Sequence, residues 1–192
     1  MLNDLTPGMV LTELGLATEL ACSQAAIREA LLRLEGEGLV RRAGHQGTTV
    51  TDLDADAATE ILDLRRRIEV RAARRVARRA TGGNLETLLR MQDRMFAAAD
   101  AGDVWALIER DCDFHLTLFR IGGLHALEPI LLRCILHTAR FRLWAPWHKR
   151  PLHQTAARHQ PILAALRSGE PAALARELGR HLDTIVERRD AA

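Results

Sequence analysis

The chain has 192 residues, 47% of them hydrophobic, and a formal net charge of +2. That is enough apolar chain to bury one good core or two small ones, so the composition predicts a globular protein of one or two domains and excludes a disordered one. No run reaches the ~18 uninterrupted apolar residues of a membrane span, and residues 1–10 lack the basic start and apolar stretch of a secretory signal, so a cytoplasmic protein is expected. Three cysteines, Cys22, Cys112 and Cys134, form no CxxC and are odd in number, which argues against a disulfide framework and a zinc ribbon.

In chain order, Thr12 precedes a short helix over 13–20, and Ala21-Cys22 makes a tight turn. Ser23 has the chemistry of an N-cap for a second helix reaching about Glu37. Ile27, Ala30, Leu31 and Leu34 fall at i, i+3, i+4 and i+7 and predict its buried stripe, leaving Gln24, Ala25 and Arg28 on the outer face of its first turns. An outward Arg and Gln there match the chemistry that reads guanine and adenine in a major groove. Two β-prone runs, 39–42 and 48–51, flank a five-residue loop and predict a hairpin presenting Arg41, Arg42 and His45 to phosphate or minor groove. Residues 1–51 nevertheless carry four Arg against six Asp and Glu, so a DNA interface must come from local placement rather than bulk charge. Everything beyond is helical. A long helix is expected to about Arg79, closed by Gly82-Gly83, with Asn84 capping the next; breaks at 100–103, 122–123, 145–151 and 168–171 complete six helices.

Pro7-Gly8, Leu16-Ala17, Ser23, the run Ile27-Arg28-Glu29-Ala30-Leu31, Arg33-Leu34-Glu35, Gly38-Leu39-Val40 and Gly47 with Val50 together resemble the winged helix of the GntR family of bacterial transcription regulators. The resemblance implies DNA contacts by the segment that starts at Ser23 and by the wing around Gly47. Arg28 matches the second Arg of the family's Ser-Arg-x-x-(Val/Ile)-Arg pattern, while Gln24 stands where the first usually is. The family also has a further helix before Pro7-Gly8, of which residues 1–5 would be the remainder, so either the true start lies upstream or the first helix is truncated.

The later helices place ionisable groups where apolar ones are expected. Val104, Leu107, Ile108, Asp111, His115 and Leu118 share one helix face; His159 shares one with Leu152, Ala156, Leu163 and Leu166, and His181 with Leu174, Leu178, Leu182 and Ile185. A core histidine is usually just a hydrogen-bonded one. One Asp and three His converging on the interior of one bundle instead suit a divalent ion such as Zn, Ni, Mn or Fe, with coordination positions left open. His137, beside Ile130, Cys134 and Phe141, could line the same pocket without ligating. Pro161, two residues past His159, should kink its helix or mark its start.

Asp111-Cys112-Asp113-Phe114-His115, Arg158-His159 before an apolar run and a Gly, and His181-Leu182 resemble the FCD effector domain of FadR-type GntR regulators. That resemblance implies metal ligands Asp111, His115, His159 and His181, and a carboxylate-bearing effector. Arg65 and Glu69 match the family's RxxLE segment, which makes Arg65 a candidate contact for the ligand's carboxylate, against the plainer reading of a solvated, Arg-rich helix face. The expectation is thus a mainly α protein with a winged helix-turn-helix over 1–51 and a six-helix antiparallel bundle over 55–190 that binds metal and effector and dimerises. Its function would be that of a homodimeric regulator, commonly a repressor, on an inverted-repeat DNA operator, controlled by a small organic acid. The alternative is a metal-dependent enzyme using the bundle site, which the absence of HExxH weakens.

Overall fold

The computed structural model describes residues 5–42, 47–144 and 150–185, except for the side chain of Trp144. It divides into two compact units, Met1–Ala55 and Asp56–Ala192.

The N-terminal unit opens with a strand the sequence reading missed, β1 (Val10–Leu11), followed by α1 (Glu13–Glu19), α2 (Gln24–Gly36), β2 (Val40–Arg42) and β3 (Thr48–Val50). β3 lies between β1 and β2 and pairs antiparallel with both, Val10 opposite Thr49 and Val40 opposite Val50. At two residues β1 is too short for period-two patterning to register, and its pairing with the last strand of the unit is a non-local event. Thr12 and Ser23 cap α1 and α2 by accepting from the backbone N–H groups of Gly15 and Ala26, both at 3.1 Å. Between the two helices Ala21 takes φ 50°, the left-handed bend that makes the turn tight. α2 packs against α1 and β2, and only Ile27 and Leu31 of its expected stripe are buried. Ala30 and Leu34 are exposed because those two contacts cover a single line of the helix.

The second unit is all helical among the described residues: α3 (Ala55–Arg79), α4 (Gly82–Asp100), α5 (Val104–Ile121), a short 3-10 turn (His125–Leu127), α6 (Glu128–Trp144), α7 (Leu152–Ala157), α8 (Gln160–Ser168) and α9 (Pro171–Asp183). Two expectations change in detail. Gly82 and Gly83 lie inside the first turn of α4 rather than closing α3, since Thr81 is the N-cap and Asn84 its reciprocal partner in a capping box. The segment expected as one helix over 152–168 is two, with Pro161 in the first turn of α8 and His159 at the junction as its N-cap. Proline at the start of a helix loses no bond that the helix would otherwise make, so the break falls there and not in mid-helix. Gly169, at φ 72°, ends α8 in the left-handed conformation that favours glycine.

The core is continuous: Ala72, Val76, Leu88, Met95, Leu107, Phe114, Leu118, Leu131, Ile135, Ile162, Leu174 and Leu178 are all nearly fully buried and in one cluster. Into it project Arg65, Glu69, Asp111, His115, Thr138, His159 and His181, each less than a tenth exposed. Seven polar side chains inside a packed apolar core demand partners, and those partners define the site.

Candidate metal centre and DNA-reading face

α5 supplies Asp111 and His115 one turn apart, the α7–α8 junction supplies His159, and α9 supplies His181. One ligand atom from each of the four lies within 4.8 Å of the ligand atoms of the others. Two of the three faces expected from the sequence lie on single helices: Leu107 and Leu118 flank the α5 pair, and Leu174, Leu178 and Leu182 flank His181, all buried.

Second contacts fix which nitrogen of His115 and of His159 points inward. His115 Nδ1 is 2.6 Å from Glu69 Oε2, so it donates to that carboxylate, and its Nε2 carries the lone pair. That Nε2 faces His181 Nε2 at 3.1 Å. His159 Nδ1 donates to the Ala156 carbonyl at 3.2 Å, which leaves its Nε2 as an acceptor facing Asp111 Oδ1 at 3.1 Å. His159 Nε2 and His181 Nδ1 are buried and have no protein hydrogen bond. Lone pairs converging in an apolar interior repel one another unless a cation or a proton lies among them. Three imidazoles and a carboxylate suit a first-row divalent cation, and the four residues present fit it.

Electrostatics favours the metal-binding protonation states. Burial, aided by the neighbouring imidazoles and by Arg158, pushes the His181 pKa well below its ordinary value. Burial likewise lowers that of His115, against the opposing pull of Glu69. Both rings are therefore neutral near pH 7, the form that ligates metals. Burial alone would raise Asp111, but the 3.1 Å contact with His159 and the charges of His115, His159 and Arg142 outweigh it and hold the carboxyl well below the usual range.

Glu69, quoted in the sequence reading only as part of a motif, is the group that orients His115. Its other oxygen accepts from Arg65 Nε at 2.7 Å, and Arg65 Nη1 donates to Thr138 Oγ1 at 3.2 Å. Arg65 is 2% exposed, which overturns the solvated-face reading. Burial would raise the Glu69 pKa; the charges of His115 and Arg65 reverse this and hold it at about 2. His137 is buried on α6, as expected, but stands outside the four-group cluster.

Beside Asp111 is a cavity of about 90 Å³, lined by apolar Leu107, Ile108 and Leu143 and by polar Arg142, Arg150 and Thr155. Neither Arg65 nor His137, the two residues expected to meet an effector, lines it. Arg142 Nε is buried without a hydrogen-bond partner, and burial lowers its pKa against the attraction of Asp111. Nearby Arg158 donates to the His181 carbonyl and to Thr184 Oγ1, and burial with the charges of Arg150 and Arg142 brings its pKa down to about 9. The cavity wall thus sets the Arg142 and Arg150 guanidinium groups beside the Asp111 carboxylate. The sequence hid this, because Arg142 and Arg150 are two of many arginines.

In the N-terminal unit the first turns of α2 present Ser23, Gln24, Ala25 and Arg28 to solvent, and Arg41 and Arg42 are exposed on β2. Gly47, at φ 87°, immediately precedes the return strand. His45 lies outside the described residues. A capped helix after a tight turn, followed by a sheet hairpin, is the arrangement of a winged helix-turn-helix.

Fold and site together define a bacterial transcription regulator with a winged-helix DNA-binding domain and a helical effector domain. The sequence matches the models of the bacterial regulatory proteins of the gntR family over residues 1–50 and of the FCD domain over residues 60–184, so the chain belongs to the GntR family, in its FCD-containing branch. The Nta operon transcriptional regulator of Aminobacter aminovorans is 30% identical over 187 residues, spanning 94% of this chain and 86% of that protein. The HTH-type transcriptional repressor RspR of Escherichia coli K12 is 24% identical over 95% of this chain and 80% of its own length. Among solved structures, E. coli McbR/YncC superposes with a TM-score of 0.80 at 22% identity, over 95% of this chain and 87% of that one, which supports the fold. The two curated relatives are named as transcription regulators, and the enzyme alternative falls with the family assignment. No described helix is long and apolar enough to cross a membrane.

Proposed function

We propose that the chain acts as a homodimeric repressor that binds an inverted-repeat operator through Ser23, Gln24, Ala25, Arg28 and the wing, and that a small organic acid controls it from a metal site built by Asp111, His115, His159 and His181. The observation that carries the sensing half is the convergence of four ligand atoms within 4.8 Å of one another in the buried core, beside a cavity whose wall holds Arg142 with its Nε unpartnered. A divalent ion held there would supply a Lewis-acidic point for a carboxylate oxygen. The chain's own contribution is to exclude water with Leu107, Ile108 and Leu143, to orient His115 through Glu69, and to offer Arg142 to a negative group. Two-fold symmetry supports the operator reading, because one winged helix makes few contacts and a dimer doubles them. The word repressor in the names of RspR and of the probable D-xylose utilization operon repressor of Paenarthrobacter nicotinovorans supports the sign of control. The effector acts by binding one packing of the bundle more tightly than the packing that binds DNA.

Elemental analysis of protein purified without a metal-affinity tag tests the centre: one divalent ion per subunit is expected, and none in the His115→Ala/His181→Ala variant. Calorimetry with a panel of small carboxylates, on metal-loaded and chelated protein, tests the effector. Equal binding with and without metal would refute recognition at the metal, and binding without any change in operator affinity would refute the sensor role.

A further inference from the structure

Arg28 does not project freely from the recognition helix. Glu13, the first residue of α1, reaches across and accepts from Arg28 Nε at 3.0 and 3.1 Å and from Nη2 at 2.7 Å. The same carboxylate lies 3.5 Å from Arg42 Nη2, at the start of the wing. The Glu13 side chain is 23% exposed and that of Arg28 58%, so the acid is the anchored partner and the guanidinium the presented one. Their hydrogen bond is the leading cause both of the raised Arg28 pKa and of the lowered Glu13 pKa.

A guanidinium offers two edges for bidentate recognition, Nε with Nη2 and Nη1 with Nη2. Glu13 occupies the first. What remains is the outer edge, whose paired N–H groups match the O6 and N7 acceptors of guanine. An acid on a surface that meets phosphates is electrostatically unhelpful, and this unit already carries more acids than bases. Ordering a long, flexible arginine before contact gives that acid a purpose, since less side-chain freedom is then lost on binding. We infer that Glu13 is a positioning residue for operator recognition: its carboxylate grips one edge of Arg28 and the tip of Arg42, aiming the free edge of Arg28 at a base pair. The inference rests on the reading that Arg28 meets DNA.

The test uses full-length protein and duplexes enriched by that protein from a random-sequence pool, with a scrambled duplex of equal length as the non-specific probe. Affinities are measured by fluorescence anisotropy over a range of salt for the wild type, Glu13→Gln, Arg28→Ala and the double variant, with melting temperatures as folding controls. Glu13→Gln is expected to lower enriched-site affinity about tenfold, as for one lost base contact, while non-specific affinity holds or rises. The double variant should bind no more weakly than Arg28→Ala, because the base contact that the acid orients is made by that arginine. If Glu13→Gln raises both affinities equally, the acid is a mere counter-charge and the inference is wrong; losses that add in the double variant overturn it as well. Failure to enrich any sequence, or unchanged binding by Arg28→Ala, overturns instead the reading of Arg28 on which it rests.

Discussion

The two units each hold an Arg–Glu pair at the same 2.7 Å separation, and the pairs have little else in common. Arg28 and Glu13 meet at the surface, where water competes for both ions, whereas Arg65 and Glu69 are 2% and 3% exposed. Distance alone therefore says little about what an ion pair does. At the surface it can orient a side chain at small energetic consequence; in the core each partner has forgone hydration and neither can be removed without stranding the other. The N-terminal unit keeps its working charges outside a thin core, and the C-terminal unit builds its site out of charges the core encloses.

The largest effect should follow Glu69→Gln. It leaves the Arg65 guanidinium buried without its counter-ion and removes the charged acceptor of His115. Unfolding by denaturant should show a loss of about 3–5 kcal/mol, and competition against a chelator should show metal affinity about 10–100-fold lower. A variant as stable as the parent would break the contrast between the two pairs.

Acidification should sharpen it. His115 and His181 have folded-state pKa values below their ordinary ones, so in chelated protein their neutral forms favour folding at neutral pH, and stability falls as pH drops below about 6.5, where the unfolded chain begins to take up protons. Asp111 and Glu69, also depressed, contribute stability above about 4 and lose it as pH falls further, toward about 2 for Glu69. Melting temperature against pH should therefore decline in two stages, and metal retention should be lost in the first. A flat profile between pH 7 and 5 would contradict the burial of neutral imidazoles.

Arg28→Ala should lower operator affinity about tenfold or more while leaving the melting temperature nearly unchanged, because its energetic role is outside the fold. A cooperative loss of helicity in that variant would move the surface pair into the same class as the buried one. Smallest of all, Arg33→Ala, which removes the exposed pair with Glu29 on α2, should leave both melting temperature and operator affinity unchanged within error.

The legible parts of this protein were those written in local periodicity. The helix-turn-helix with its Ser23 cap, the long α3, and the inward faces carrying Asp111, His115 and His181 all follow from spacing, and the structure brings those groups together with His159. Strand β1 escaped because its signal lies in a partner almost forty residues away. Arg65 was misjudged for a different reason. Composition labels its segment Arg-rich, yet Ala58, Leu62, Arg65, Glu69, Ala72 and Val76 advance by threes and fours along one buried stripe, and treating charged residues as members of that period would have placed the pair inside. Arg142 had no such signal: its importance comes from an empty wall beside Asp111, which only tertiary packing creates.

The Nε2 atoms of His115 and His181 lie 3.1 Å apart across 66 positions of chain. An unfolded chain holds only Asp111 and His115 within one turn's reach, a weak pair for any ion, and completing the set requires closing a long loop with its attendant entropy. Capture of an ion would therefore come late in folding, only once α9 has carried His181 to His115. Such an ion would act as a latch on α9, slowing the unfolding of the domain more than it speeds its formation.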